Sequence, residues 1–309
     1  MEKTATKLLY FVLRLYASLP MPFLFFLSDV LLFPIVYHIG RYRRRTVRQN
    51  LENSFPEYSN YQIVKMERRF YHHFCDNFQE TIHILAMSEK EAKQRMHFEN
   101  MDLLLSYLQQ EKGVLVLMGH YGNWEFQPFF FLQMPEHGVK QGFSVYRPLK
   151  NKTFDELMKT IRSHFGGNNV TKSETYRTII RLRSQKLAGA FGLISDQSPS
   201  RSNIHYWTNF LNQETAILTG PERMARQTGF VVTYADVVKL GRGRYKTTFK
   251  LLTDEPAKTA EFELTEQYAR LMEQTILRDP AYWLWTHKRW KHKRVSVSNS
   301  TQKDTIETP

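Results

Sequence analysis

His120 and Glu125 stand in the run GHYGNWE, residues 119–125, with four residues between them. Histidine changes charge near neutral pH, so an acid beside it matters to its chemistry. On one continuous helix this spacing would put the two side chains on different faces, but across a turn they can meet. Glu125 would then accept a hydrogen bond from one ring nitrogen. That fixes the tautomer and leaves the other nitrogen free to take a proton from a hydroxyl. Spacing alone favours a core histidine satisfied by a neighbouring acid. It is not the His-Glu-x-x-His zinc pattern, and no third ligand is placed for a metal.

The elements around the pair are those that place residues at a strand end. GVLVLM, residues 113–118, is a short apolar run suited to a buried strand, and glycines 119 and 122 allow a tight turn after it. Trp124 and Glu125 then start a helix. Further strands are expected in VKQGFSVYR and LAGAFGLIS. FVVTYADVVKL and RYKTTFKLL alternate like paired strands joined at Gly241-Arg242-Gly243. Helical spacing marks residues 61–95, TFDELMKTIRSHFG ending at Gly166, SETYRTIIRLRSQ with Ser173 as N-cap, AILTGPERMARQTG, and EFELTEQYARLMEQTILRD. Strands alternating with helices predict an α/β fold, a mixed sheet flanked by helices. Ligands of such sheets bind beyond the strand ends, where His120 would sit.

Composition narrows the partners. The chain of 309 residues has a net charge of +13 and 14% aromatic residues, which suits an anionic partner. One cysteine, Cys75, excludes an intramolecular disulfide and reads as a small core residue. His72, His73 and His83 lack a matching acidic or cysteine set and read as packed rings rather than metal ligands. Residues 8–39 are strongly apolar but are interrupted by Arg14, Asp29, Pro20, Pro22 and Pro34. They predict either a kinked membrane anchor or helices lying in the bilayer interface, and they do not read as a signal peptide. Arg41, Arg43, Arg44, Arg45 and Arg48 follow at once, which by the positive-inside tendency keeps the rest of the chain cytoplasmic. Three parts are expected: membrane-associated helices over 1–50, a catalytic domain over 51–294, and a polar tail over 295–309 that is predicted to be disordered.

GHYGNWE resembles the signature of the bacterial lipid A secondary (lauroyl/myristoyl) acyltransferases, within the wider glycerolipid acyltransferases that share a His-x4-Asp/Glu motif. The likeness extends to LLFPIVYHIGRYRRRTVRQNLENSFPE, VYRPLKNKTFDELM, ISDQSPSRSNIHYWTNFLNQETAILTGPERMAR and DPAYWLWTHKRWK, in that order along most of the chain. It implies a glycerolipid-acyltransferase-like fold and transfer of a fatty acyl chain from acyl carrier protein to a hydroxyl of a lipid A precursor. His120 would be the general base and Glu125 its orienting partner. Asn123 and the backbone amides of the turn would position substrate or stabilise the oxyanion. Arg147 would bind anionic substrate or the oxyanion, and Arg162 would contact phosphate or the carrier. Asp196 matches the acid of the family loop and would position substrate or support the site. That loop, DQSPSRSN, lacks the further acidic residue and the glycine-proline pair common in the family.

Direct attack by the hydroxyl needs no metal and no cofactor beyond the acyl donor. The implied partners are acyl carrier protein, the lipid A precursor and anionic inner-membrane lipids on the cytoplasmic face, with no nucleic acid. Two other readings are an acyltransferase for another lysolipid and a non-catalytic basic protein that binds membranes or nucleic acid. YWLWTHKRWKHKR, residues 282–294, could place its rings at a lipid boundary, stack them on bases, or pack them on the core from a final helix. Phe126, Phe129, Phe130 and Phe131 follow the His120 turn and are expected to line an acyl-chain pocket or to be plain core residues.

Overall fold

The computed structural model describes residues 2–135 and 141–294. The tail expected to be disordered, and the start of VKQGFSVYR, lie outside the described residues. The chain opens with α1 (Glu2–Ala17), followed by a helical run that begins as α2 (Met21–Leu27) and widens into π turns at Ser28–Leu32 and Pro34–Ile39. Next come α3 (Arg44–Ser54), α4 (Asn60–His83), α5 (Glu89–Arg95), β1 (Met96–Glu99), α6 (Met101–Gln109) and β2 (Val114–Met118). A 3-10 helix (Trp124–Leu132), β3 (Gly142–Tyr146), α7 (Lys152–Arg162), β4 (Asn168–Thr171), α8 (Thr175–Ser184) and β5 (Ala190–Ile194) follow. The chain continues through β6 (Tyr206–Phe210), β7 (Gln213–Ile217), α9 (Gly220–Thr228), β8 (Val231–Gly241), β9 (Arg244–Thr253) and α10 (Glu263–Arg278).

Seven strands form one mixed sheet in the order β1-β9-β8-β2-β5-β3-β4, and β6 and β7 form a separate hairpin. Within the large sheet only β8 and β9 run antiparallel, across the expected Gly241–Gly243 turn. β2 lies between parallel β5 and β8, and all five of its residues are buried. A strand covered on both faces needs such an unbroken apolar run, which is why VLVLM is not interrupted by polar residues. Leu115 and Leu117 face a core with Ile179 of α8, Ala225 of α9 and Met272 of α10. Val114, Val116 and Met118 face Leu104 and Leu105 of α6 on the other side. The expected mixed sheet flanked by helices is thus present.

Local chemistry sets several boundaries. Ser59 and Gln62 close a capping box at the start of α4. α7 starts at the Asn151 cap and ends at Arg162, short of Gly166, which takes φ +91° in the turn beyond. Ser173 is not the N-cap of α8: that place belongs to Glu174, and the Ser173 hydroxyl is 3.0 Å from that of Thr171. Of the readings open for residues 282–294, packing of the rings on the core is the one seen, though not from a helix. After a short turn at Pro280–Tyr282 the chain is irregular, with Trp283 and Trp285 buried in the core. Neither indole is available to stack on bases or lipid.

The three histidines of α4 are packed. His72 stacks on Phe33 at 3.7 Å, His73 is buried, and His83 meets the Ala17 carbonyl at 2.7 Å. Cys75 is buried beside them, and burial, with Asp76 adding to it, pushes its thiol up to about 12, as for an inert core residue.

Candidate active site

β2 ends at Met118, and the 119–123 turn leaves the C-terminal edge of the sheet. Neighbours clamp this turn. Tyr268 donates to the Met118 carbonyl at 2.9 Å, Gly122 donates its N–H to the Tyr282 carbonyl at 2.9 Å, and Asn77 donates to the Gly122 carbonyl at 3.0 Å. Gly122 takes φ +61°, which a side chain would strain. A Cβ on Gly119 would fall 2.3 Å from the Met272 sulfur and 3.2 Å from a carboxylate oxygen of Asp196, so glycine lets that acid close on the turn.

Asp196, just beyond β5, grips His120 twice. Its Oδ1 is 2.6 Å from His120 Nδ1, and its Oδ2 accepts the His120 backbone N–H at 2.8 Å. The Trp283 indole N–H also donates to Oδ2 at 2.8 Å. Burial opposes ionisation of Asp196. The His120 charge, its ring N–H, the indole and the backbone amide outweigh that cost and hold the carboxyl down to about 2. A carboxylate at Nδ1 assigns the ring proton to that nitrogen and leaves the lone pair on Nε2. Gln197 Nε2 lies 3.3 Å from it, and the edge of Trp124 packs against the ring at 4.9 Å between centroids. The His120 side chain is 15% exposed, enough to meet a substrate.

Glu125 is elsewhere. The 3-10 helix aims its buried carboxylate at the end of α7, where Arg162 binds it through two bonds of 2.7 Å. Burial works against the Arg162 charge, but the Glu125 carboxylate more than compensates and raises its pKa. The partner on the His120 ring is therefore Asp196, 76 residues away, in place of the expected Glu125. The reason is local. Asn123 Oδ1 accepts the Glu125 N–H at 3.0 Å and caps the 3-10 helix, which turns Glu125 away from the strand end.

Asn123, expected to position substrate or stabilise the oxyanion, is turned inward as well. It is buried, its amide donates to Glu80 at 2.9 Å, and Tyr245 shares that carboxylate at 2.9 Å. It shapes the turn instead of facing substrate. The amides of His120, Gly122, Glu125 and Phe126 are all bound to acceptors within the protein, so they are not free to cradle an oxyanion. Arg162 is held at Glu125, just past the turn, and Arg147 is exposed just past β3 on the same sheet edge. The four phenylalanines are buried and packed. Phe131 is wedged where a Cβ on Gly142 or Gly167 would fall 2.3 or 2.1 Å from its ring.

The sequence model of the family described as "Bacterial lipid A biosynthesis acyltransferase" matches residues 2–292. The chain belongs to that family. It is 24% identical over 294 residues to the lipid A biosynthesis palmitoleoyltransferase of Escherichia coli (strain K12), covering 93% of this chain and 91% of that one. A lipid A biosynthesis acyltransferase of Shigella flexneri matches with the same identity and coverage.

In this member of the lipid A acyltransferases the C-terminal block belongs to the site. Besides Trp283, it supplies His287, whose Nε2 accepts the Ser198 N–H at 3.2 Å and braces the loop that carries Asp196 and Gln197. Arg289 is buried behind them. Its Nε and Nη1 have no hydrogen-bond partner among the described residues, and burial pulls its pKa down to about 10 although the Asp196 charge supports it. Only long-range pairing brings these residues to His120, so spacing in the sequence does not reveal them.

His287 predicts an acid limit. Burial lowers its pKa from 6.5 to about 4. A base with a depressed folded pKa contributes stability that is present above 6.5 and lost as the pH falls through about 4. The thermal midpoint should drop across that window, and His287→Gln should flatten part of the drop. Fully buried His73, shifted in the same direction, supplies a remaining share. An equally steep drop in His287→Gln would remove the assignment.

Proposed function

We propose that the protein transfers a fatty acyl chain from acyl carrier protein to a hydroxyl of a lipid A precursor, at the cytoplasmic face of the inner membrane. The observation that carries this reading is the partly exposed His120 ring, held by Asp196 just past the C-terminal end of β2 with Nε2 beside Gln197, in a chain matched by the family over residues 2–292.

In the reaction, the acceptor hydroxyl displaces the Gln197 amide from His120 Nε2 and gives its proton to the ring. The alkoxide oxygen attacks the thioester carbonyl carbon, and a carbon–oxygen bond forms. The carbon–sulfur bond then breaks, and the leaving sulfur takes the proton back from His120. Asp196 stabilises the ring while it is charged, as the acid does in a Ser-His-Asp site. Arg162, steadied by Glu125, and Arg147 stabilise negative charge on the thioester oxygen or on substrate phosphates. The reaction needs neither a metal nor a cofactor besides the acyl donor. A chain of +13 attracts both the acidic carrier and a phosphorylated lipid. Exposed Phe23, Phe26, Leu31 and Ile39 give the protein a surface for the membrane.

The test is lipid mass spectrometry on cells that contain or lack the protein. Loss of one acyl chain from lipid A is expected without it. The chain should return with the wild-type protein and not with His120→Ala. An unchanged lipid A with an altered phospholipid would move the acceptor to another lysolipid.

A further inference from the structure

Among the described residues, Met21–Ile39 is the one helical run long and apolar enough to cross a membrane. Its polar side, however, is fastened to the folded domain along its length. Asp29, near its midpoint, binds Arg242 of the β8–β9 turn through bonds of 2.8 and 2.9 Å. The same guanidinium binds Asp76 of α4 at 2.8 and 2.6 Å, and the Ser28 hydroxyl donates to Asp76 at 2.8 Å. Phe33 stacks on His72 at 3.7 Å, and Tyr37 packs on Tyr71 at 5.2 Å. Beside these contacts lies an open polar cavity of about 410 Å³, lined by Asp29, Arg69, His72, Asp76, Lys239 and Arg242 among others.

The opposite side of the run is apolar and bare. Phe23, Phe26, Val30, Leu31, Ile35 and Ile39 are all exposed, Ile39 by 77%. Phe11, Val12 and Leu15 of α1 are exposed as well. Where the run ends, Arg41, Arg43 and Arg45 face solvent, and among the described residues no carboxylate pairs with them.

These two sides decide the orientation. If the run crossed a bilayer, Asp29 would sit near the centre of the hydrocarbon. Arg242, Asp76 and the polar cavity would be drawn in with it, because they belong to the domain that holds Asp29. Ionised groups at that depth are costly even when paired. Lying flat, the run buries its bare face in the boundary between headgroups and acyl chains. The ion network then stays on the domain side, and the three arginines reach the phosphate level.

We infer that Met21–Ile39 lies in the plane of one leaflet, apolar face down, with Arg41, Arg43 and Arg45 on anionic headgroups, and does not cross the membrane. This rests on the membrane-bound reading above. It also links the surface to the chemistry. Arg43 donates to the Thr286 carbonyl at 3.0 Å, and the adjacent His287 braces the loop of Asp196 and Gln197. The cationic turn that meets the headgroups is thereby joined to His120, and a lipid acceptor enters from the leaflet on which the helix rests.

The test uses the full chain with Ser18→Cys or Glu57→Cys, two exposed positions on either side of the run, in bacterial membranes. Wild type, with buried Cys75, is the control. A membrane-impermeant maleimide is applied to spheroplasts and to inverted inner-membrane vesicles. Both cysteines should label in the inverted vesicles and neither in spheroplasts. Labelling from opposite faces would overturn the flat orientation and leave membrane binding intact. Recovery of the chain in the soluble fraction alone would overturn the membrane reading itself. As a second measurement, Phe26→Glu should cut co-flotation with phosphatidylglycerol-containing vesicles about tenfold, and unchanged flotation would contradict the apolar contact.

Discussion

Asp196→Asn is expected to lower the acyl-transfer rate constant by about 10³- to 10⁴-fold, the scale seen when the acid of a Ser-His-Asp site is made an amide. The amide can turn its N–H₂ toward His120 Nδ1, now 2.6 Å from a carboxylate oxygen. Nδ1 then becomes the acceptor, the ring proton moves to Nε2, and the nitrogen that faces substrate has no lone pair to offer. The imidazolium formed in the reaction also loses its counter-charge. Substrate binding should change little, so the loss falls on kcat and not on KM. The altered side chain still accepts from the Trp283 indole, and a near-native circular dichroism spectrum would show that the fold survives. A rate within tenfold of wild type would remove Asp196 from the mechanism.

Glu125→Ala has the second large effect, of a different kind. It leaves the Arg162 guanidinium, 20% exposed in its side chain, without the carboxylate that binds it twice. Stranding one member of a buried pair costs about 3–5 kcal/mol. The denaturation midpoint should fall accordingly, and transfer should be lost through misplacement of Arg162. Glu125→Ala combined with Arg162→Met removes the stranded charge, so it should recover most of the stability and none of the activity. The kinetics of Glu125→Gln test this placement. As the support of Arg162, Glu125 gives a loss of kcat/KM with an unaltered pH dependence, because the His120 ring keeps its Asp196 partner. A shifted pH dependence of kcat would put Glu125 on the His120 ring instead.

The contrast between these two acids also marks how far the sequence can be read. Buried β2 was legible because an unbroken apolar run has few other uses, and the β8–β9 pair because its alternation flanks a Gly-Arg-Gly turn. From those elements the position of His120 at a strand end followed. The hairpin β6–β7 was not legible. Its turn places Leu211 and Asn212 at φ +51° and +60°, where Asn-Gly is the usual signal. Tertiary contacts hold it instead: Glu273 accepts the Leu211 N–H, and Asn212 donates to the Ser54 carbonyl. β1 and β4, four residues each, are too short to leave a pattern.

Within the site, a His-x4-Glu spacing suggests contact, yet the Asn123 cap turns Glu125 toward α7. Asp196 reaches His120 only because β5 lies beside β2 in parallel register, Met118 opposite Ile194. That adjacency belongs to the sheet order, which no local run of residues encodes. The role of Trp283 depends on a further crossing, the bridge between Tyr121 and Trp283 that brings the C-terminal block over the turn.

Proton transfer from a lipid A precursor hydroxyl to His120, poised by Asp196, can be followed with purified protein, acyl carrier protein bearing an isotope-labelled fatty acid, and a lipid A precursor as acceptor. Wild type should give one labelled ester on the lipid, and His120→Ala should form it at least about 10³-fold more slowly in a protein that still binds membranes. Transfer by His120→Ala at the wild-type rate, or no labelled lipid with wild type, would contradict that step.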